Sequence, residues 1–253
     1  MNFTILRFDT IGSTNTEALN QARRGADEGL CVVARQQTAG RGRHGRVWIS
    51  DPEAGLYFSI VLRPKIETRI LPLITLMTAV AVYDTLKEIF YLDCDIKWAN
   101  DVHVGDKKIC GILAETAETP KGLAVVVGVG INLKSSGFPP EIVATSIEAE
   151  TGQKINADEL LEALTRFFNY HYEILREASG AAKIRRDWTR RSSYAAGKQV
   201  RVVLENETIY GTTGGIEENG ALRVKTETGE IKIIQAGEVE KLRHEKQKII
   251  DTN

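Results

Sequence analysis

A run of cationic side chains set among glycines forms the segment GRGRHGRVW, residues 40–48. Glycine at this density disfavours a regular helix or strand, because glycine loses more backbone freedom on ordering than any other residue. Arginine is always charged and binds phosphate or carboxylate through two parallel hydrogen bonds. We therefore interpret the segment as a loop that closes over an anionic small molecule. A solvated basic loop and a nucleic-acid-binding tract of the RGG kind are the alternatives.

A second group of polar residues stands in DIKWANDV, residues 95–102. Here Lys97 ends a predicted strand, Asn100 and Asp101 form a turn, and Lys108 lies at the start of a later strand. Asparagine and aspartate are common in turns, and a lysine at a strand end is commonly a surface charge. The pattern alone therefore allows a structural role as well as a role in binding an anion.

Three consecutive hydrogen-bonding side chains, Ser13, Thr14 and Asn15, precede a short predicted helix. Such residues are typical of a helix cap, because their oxygens accept from the free N–H groups of the first turn. The same N-terminus can hold a polar group of a ligand. The sequence alone does not separate these two interpretations.

Nucleotide-binding fingerprints of the common kinds are missing from the sequence. Gly128 and Gly130 resemble part of a dinucleotide motif, but Leu133 stands where the third glycine is needed and no helix is predicted to begin there. The sequence contains no GxxxxGK[ST] loop. We therefore reject a Rossmann site and expect that any ATP binds without a P-loop.

The composition limits the class of protein. Of 253 residues, 33 are basic and 34 acidic, and this net charge of −1 disfavours a nucleic-acid-binding module. The three cysteines are widely spaced and form no CxxC pair, which predicts buried thiols in a reducing compartment, with no disulfide framework and no preformed metal site. No signal peptide and no membrane span is predicted, so we expect a cytoplasmic protein.

The predicted elements divide the chain into two domains and a tail. Strands and helices alternate over residues 1–195, short strands with tight turns follow over 196–243, and residues 244–253 form a charged tail. Pro139 and Pro140 predict a loop. The strands of the larger domain are predicted at 2–9, 30–35, 55–62, 102–104, 108–115 and 123–129, and its helices at 14–25, 70–90, 144–152, 156–178 and 182–191.

Five motifs resemble those of the biotin–protein ligases, in that family's order: GSTN, QQTAGRGRHGRVW, KWANDV, KKICGILAE and GVGINL. The likeness extends over essentially the whole chain. Larger relatives carry a DNA-binding domain ahead of the first motif, and Ser13 stands too near the start to leave room for one. We therefore expect the catalytic-only form, with no DNA partner. One departure is Ala99, which replaces the family's usual proline and predicts a looser turn.

The resemblance implies the fold and the reaction. The fold is α/β (α+β), a mixed sheet flanked by helices like that of class II aminoacyl-tRNA synthetases, followed by a small SH3-like β-barrel. The enzyme would join biotin to ATP as biotinyl-5′-AMP and then transfer biotin to a lysine of a biotin carboxyl carrier protein domain. The resemblance also allows a homodimer. Mg²⁺ is expected to enter with the ATP phosphates.

The resemblance further implies a role for each motif residue. Arg43, Lys97, Asp101 and Lys108 would form the catalytic set. The biotin-binding residues would be Ser13, Thr14, Asn15, Gln37, Arg41, Gly42, Arg43 and Lys108. The ATP-binding residues would be Arg46, Trp48, Lys97, Asn100 and Asn132.

Two rival functions follow from the same features. A lipoate or octanoate protein ligase would share the fold and the adenylate chemistry, but the arginine-rich loop, KWAND and Lys108 favour biotin. A nucleic-acid-binding module would use the basic loop and the barrel, against which the net charge argues.

Overall fold

A seven-stranded mixed sheet forms the centre of the computed structural model, which describes residues 1–135, 138 and 142–241. The order of its strands is β1-β2-β3-β7-β6-β5-β4, in which β1 and β2 are parallel and all other neighbours are antiparallel. The strands are β1 (Thr4–Ile11), β2 (Leu30–Gln37), β3 (Gly55–Leu62), β4 (Cys94–Lys97), β5 (Asp101–Val104), β6 (Lys107–Thr119) and β7 (Gly122–Asn132).

Helices cover the sheet on both faces. They are α1 (Thr14–Arg23), α2 (Leu73–Phe90), α3 (Ile147–Thr151), α4 (Ala157–Leu175) and α5 (Gly180–Arg191). The first helix packs with Ala18, Leu19 and Ala22 against small and branched residues of the sheet. The second is apolar almost all round and lies between the sheet and the pair α4 and α5, as a helix without a polar face must. No helix in the described part of the chain is long and apolar enough to span a bilayer.

A second sheet follows α5. Its strands are β8 (Ala196–Val203), β9 (Thr208–Ile216), β10 (Leu222–Thr226), β11 (Ile231–Ile234) and β12 (Glu238–Lys241). All neighbours are antiparallel, in the order β11-β10-β9-β8-β12. The predicted class, a mixed sheet flanked by helices with a small β domain after it, is confirmed. The division of the chain at residue 195 remains a prediction.

Several element limits differ from those predicted. The strand predicted at 123–129 is longer and also includes Gly130, which lies beyond its predicted end. The helix predicted from residue 70 begins at Leu73, because a 3₁₀ turn and Pro72 precede it. Strand β12 was not predicted, since alternating charges in its sequence resemble a polar tail. The predicted loop at Pro139 and Pro140 and the predicted tail at 244–253 lie outside the described residues.

The three cysteines are free and buried. Burial raises the pKa of the Cys31 and Cys94 thiols to about 12 and also raises that of Cys110, because a thiolate would lose its hydration. Such thiols are poor nucleophiles and pack as small apolar groups.

The two sheets share one apolar core, and a buried hydrogen bond joins them. Trp98, which follows β4, donates from Nε1 to the carbonyl oxygen of Gly220 at 2.9 Å. Gly220 has φ +86 and lies against Leu73 and Leu76 of α2, so its turn is pressed onto the larger domain. The hydrogen bond therefore holds the turn before β10 against the strand that leads into KWAND.

Trp98→Phe is expected to destabilise the protein by about 1–3 kcal/mol more than Trp188→Phe. Both changes remove similar buried volume, but only the first leaves a buried carbonyl, that of Gly220, without its donor. Trp188 is the matched control because its Nε1 has no hydrogen-bond partner in the described structure. Urea denaturation of both variants measures the difference. Equal losses would show that the hydrogen bond to Gly220 adds nothing to stability.

Candidate functional site

A cavity of about 1160 Å³ opens between one face of the larger sheet and the second sheet. Every residue that the sequence analysis singled out as a site residue lines it, although these residues come from segments far apart in the chain. They are Ser13, Thr14, Asn15, Gln37, Arg41, Gly42, Arg43, Arg46, Trp48, Lys97, Asn100, Asp101, Lys108 and Asn132. The structure thus brings the set together, while the role of each residue stays a prediction.

Neutral hydrogen-bonding groups line one part of the cavity. Ser13 caps α1 by accepting from the backbone N–H of Thr16, so it does act as a helix cap. The backbone N–H of Thr14 and its hydroxyl both donate to Gln37 Oε1, at 2.8 and 3.1 Å. Gln37 in turn donates from Nε2 to Ser50 Oγ at 2.9 Å. This network holds the end of β2 to the start of α1.

Ser59 and Glu115 complete this network and were not predicted. Ser59 Oγ lies 2.6 Å from Asn15 Oδ1 and 2.8 Å from Thr14 Oγ1. Asn15 donates from Nδ2 to the Leu113 carbonyl at 3.1 Å and to Glu115 Oε2 at 2.9 Å. Both N–H bonds of the Asn15 amide are therefore used by protein acceptors. Ser59 could have been noticed in the sequence, because it is a polar residue within the apolar segment GLYFSIVL, all of which is buried.

The glycines of GVGINL leave space for site residues. A Cβ at Gly128 would lie 2.0 Å from Asn15 Oδ1, and one at Gly130 would lie 2.4 Å from the Trp48 ring. A Cβ at Gly111 on β6 would lie 2.7 Å from the same ring. These glycines thus let Asn15 and Trp48 lie directly on the sheet, which agrees with the rejection of a Rossmann motif.

The arginine loop has a defined hydrogen-bonded form. The Gly42 N–H donates to the Arg46 carbonyl at 2.7 Å, and the Trp48 N–H donates to the Gly40 carbonyl at 2.9 Å. His44 at the tip has φ 54, in the left-handed region. The loop is therefore a tight hairpin-like turn, and its arginine side chains leave it in different directions.

Each loop arginine meets a different element. Arg41 pairs with Glu115 through two contacts of 3.0 and 2.5 Å. Arg43 donates from Nη1 to Asn100 Oδ1 at 2.9 Å. Arg46 forms a bidentate pair with Glu238 on β12, one contact of which measures 2.8 Å. The loop is thus attached to β6, to the KWAND turn and to the second sheet.

The charges of these arginines are compensated unequally. The bond to Glu238 raises the pKa of Arg46, and the bond to Arg46 lowers the pKa of Glu238. Arg43 is bonded to a neutral amide, and burial lowers its pKa despite nearby Asp101. Its guanidinium is therefore a cation whose charge no direct ion pair offsets among the described residues.

Lys108, Asp101 and Trp48 meet beside the loop. Lys108 Nζ lies 2.7 Å from Asp101 Oδ1 and 5.3 Å from the centroid of the Trp48 ring. The contact with Asp101 is an ion pair, and Oδ1 of Asp101 is shielded from solvent. A carboxylate has about four lone-pair sites, so one lysine leaves Asp101 with further coordinating capacity.

Two further residues line the cavity with different functions. Asn132 donates from Nδ2 to the Thr145 carbonyl at 2.9 Å, which ties β7 to the segment before α3. His103 was not predicted, and burial lowers its pKa to about 4, so that its imidazole is uncharged at neutral pH. No group of three or more His, Cys, Asp or Glu side chains within the described ranges could hold a metal ion.

Comparisons with known proteins agree with this geometry. Residues 8–132 match the biotin/lipoate A/B protein ligase family, and residues 196–242 match the biotin protein ligase C terminal domain. The bifunctional ligase/repressor BirA of Bacillus spizizenii is 37% identical over 92% of this chain and 72% of its own. The biotin--[acetyl-CoA-carboxylase] ligase of Paracoccus denitrificans is 33% identical over 90% of this chain and 96% of its own.

A solved structure gives the same result. The biotin protein ligase from Aquifex aeolicus in complex with biotin and ATP superposes with a TM-score of 0.82 at 30% identity, over 95% of this chain and 99% of that one. The cavity and these matches together show an enzyme that activates a small organic acid. The chain belongs to the biotin/lipoate A/B protein ligase family.

Gly128→Ala is expected to destabilise the protein by about 1–3 kcal/mol, because the new methyl group overlaps the Asn15 side chain and Ser59 lies directly behind it. Gly214→Ala is the matched control, since Gly214 also lies in a strand but a Cβ there would meet its nearest atom only at 4.0 Å. Urea denaturation measures both changes. A stable Gly128→Ala variant would show that Asn15 can leave its place on the sheet without loss.

Proposed function

We propose that the residues of the cavity carry out ATP-dependent ligation of biotin to a protein. In the first step a biotin carboxylate oxygen attacks the α-phosphorus of ATP, forming biotinyl-5′-AMP and releasing pyrophosphate. In the second step a lysine amine of a carrier domain attacks the biotinyl carbonyl, forms an amide, loses a proton and releases AMP.

The polar atoms of the pocket that no internal hydrogen bond uses support biotin as the acid that is bound. The Ser13 hydroxyl proton, one N–H of Gln37 Nε2 and a lone pair of Asn15 Oδ1 remain after the internal bonds are made. The carbonyl oxygen of a cyclic urea can accept from both of these donors, and one of its two N–H groups can donate to Asn15 Oδ1. The dithiolane ring of lipoate has no such groups and would leave the buried polar atoms unpaired.

The cations of the site suit the meeting of two anions. A carboxylate and a phosphate about 4 Å apart repel by about 4 kcal/mol at an effective dielectric of 20. Arg43, Lys97 and Lys108 line the cavity beside the neutral pocket, and Arg43 carries a charge that no ion pair offsets among the described residues. We assign these three to the reacting carboxylate and phosphate, because fixed cations also stabilise charge that develops in the transition state.

The nucleotide would occupy the part of the cavity nearest the second sheet. Arg46 would bind ATP phosphates by exchanging its carboxylate partner, Glu238, for them. Trp48, whose ring packs against Gly111 and Gly130, would stack on adenine. Asn100 and Asn132 complete the assigned nucleotide contacts.

Asp101 fits a supporting role for Mg²⁺. The ion pair with Lys108 leaves the Asp101 carboxylate with lone pairs for a metal ion, and Mg²⁺ on ATP is commonly held by one carboxylate together with the phosphates. When bound there, the ion would neutralise phosphate charge. Lys108 would keep the carboxylate of Asp101 oriented.

The protein substrate would be a biotin carboxyl carrier domain of a biotin-dependent carboxylase. Val47, at the tip side of the arginine loop, is 74% exposed at the cavity, which gives an approaching protein an apolar contact beside the reaction centre. We place the reaction in the cytoplasm, which suits three free, buried thiols. A homodimer stays part of the proposal.

Exchange of labelled pyrophosphate into ATP, measured in parallel with biotin, lipoate and octanoate, tests the first step. We expect exchange with biotin alone, because only its ring satisfies the polar groups of the pocket. Exchange with lipoate or octanoate instead would keep the adenylate chemistry but refute the choice of acid. A protein that exchanges with none of the three acids and binds heparin at physiological salt would favour the nucleic-acid-binding alternative.

Lys108→Gln is expected to lower the rate of biotin-dependent exchange by about a hundredfold or more, the usual effect of removing one preorganised group that stabilises transition-state charge. Lys107→Gln is the matched control. Lys107 is the neighbouring residue in the sequence, but its side chain is 57% exposed and pairs with Glu150. Initial rates at saturating biotin and ATP compare the variants. Similar rates for both would remove Lys108 from the catalytic set.

A further inference from the structure

One carboxylate beside the cavity, that of Glu115, contacts both an α1 residue of the neutral pocket and the arginine loop. Glu115 Oε2 accepts from Asn15 Nδ2 at 2.9 Å and from Arg41 Nη2 at 2.5 Å, and Glu115 Oε1 accepts from Arg41 Nη1 at 3.0 Å. The three residues are far apart in sequence and belong to α1, the loop and β6. No other described side chain bonds directly to both an α1 residue of the pocket and an arginine of the loop.

The surroundings of Glu115 restrict its movement. Glu115 pairs with Val126 in the middle of the β6–β7 ladder, so the sheet fixes the backbone of Glu115 on that side. Its side chain is 27% exposed, compared with 41% for Arg41. Asn15 is fixed in turn, because Ser59 and the Leu113 carbonyl hold the two ends of its amide. A displacement of Asn15 would therefore disturb Glu115, the carboxylate that Arg41 also binds.

We propose that Glu115 is a positioning residue that couples occupation of the biotin pocket to closure of the arginine loop. A ligand that bonds to Asn15 restricts its amide, the amide holds Oε2 of Glu115, and the carboxylate then presents both oxygens to Arg41. Arg41 consequently acts as the strut that closes the loop, and its charge is neutralised by Glu115. Arg43 and Arg46 are left to meet the anionic groups of the substrates.

This inference rests on the proposed function, because biotin is the probe of the pocket. The variants are Glu115→Gln, Glu115→Ala, Arg41→Ala and the double variant Glu115→Ala with Arg41→Ala. Glu118→Gln is the control, since Glu118 lies on the same strand but is exposed and, unlike Glu115, bonds to neither Asn15 nor Arg41. The measurements are the dissociation constant for biotin without ATP and the amide-exchange protection of residues 40–48 with and without biotin.

We expect wild type and Glu118→Gln to gain loop protection when biotin binds. Glu115→Gln should keep its thermal midpoint, weaken biotin binding about tenfold and lose most of the gain in protection, because an amide cannot offer Arg41 two anionic oxygens. The double variant should bind biotin no more weakly than the weaker single variant, since both changes break the same link. A residue with only a structural role would not separate loop protection from stability in this way.

Three outcomes would overturn the inference while leaving the proposed function in place. They are unchanged biotin binding and loop protection in Glu115→Gln, additive losses in the double variant, and an equal loss in Glu118→Gln. Failure of wild type to bind biotin would instead refute the proposed function. If Glu115→Ala does not fold, the comparison of Glu115→Gln with wild type still decides the question.

Discussion

A row of buried hydrogen bonds across the start of α1 is the interaction on which the site depends. It runs from Glu115 through Asn15 and Ser59 to Thr14 and Gln37, and so connects strands β6, β3 and β2 with the helix that lies on them. Polar groups in this position would destabilise an apolar core if any of them lacked a partner. The same bonds therefore fix the sheet, the helix and the small number of polar atoms that remain free for a ligand.

The arginines of the loop, unlike the polar groups of the pocket, must keep part of their charge uncompensated. Strong binding of phosphate requires guanidinium groups with charge to spare, whereas a loop of unpaired arginines would repel itself and stay open. The structure resolves this conflict by partnering each arginine differently: a carboxylate of the sheet for Arg41, an amide for Arg43 and a carboxylate of the second sheet for Arg46. One arginine can thus hold the loop while the others remain exchangeable.

Local chemistry explains which features the sequence predicted. The density of arginine and glycine in residues 40–48, the capping residues before α1 and the alternation of the strands are properties of short segments, and the loop, the helix start and the class of fold are confirmed. The sequence did not predict Ser59, Glu115 or Glu238 as site residues. Their side chains bond to partners 44 or more residues away, which no local pattern reveals. The glycines of GVGINL were noticed, but their purpose depends on side chains that pack over them from elsewhere.

The second sheet contacts the rest of the protein in two ways, through a structural attachment and through the arginine loop. Its attachment to the larger domain is apolar and hydrogen-bonded, through the shared core and the bond from Trp98 to Gly220, and so does not depend on charge. Its contact with the loop is an ion pair between Arg46 and Glu238 at a partly exposed position, where such pairs contribute little to stability. The exchange of Glu238 for a phosphate at Arg46, which we propose, would therefore leave the attachment of the second sheet in place. The weak contact stands where the proposed substrate would compete, and the strong contacts stand elsewhere.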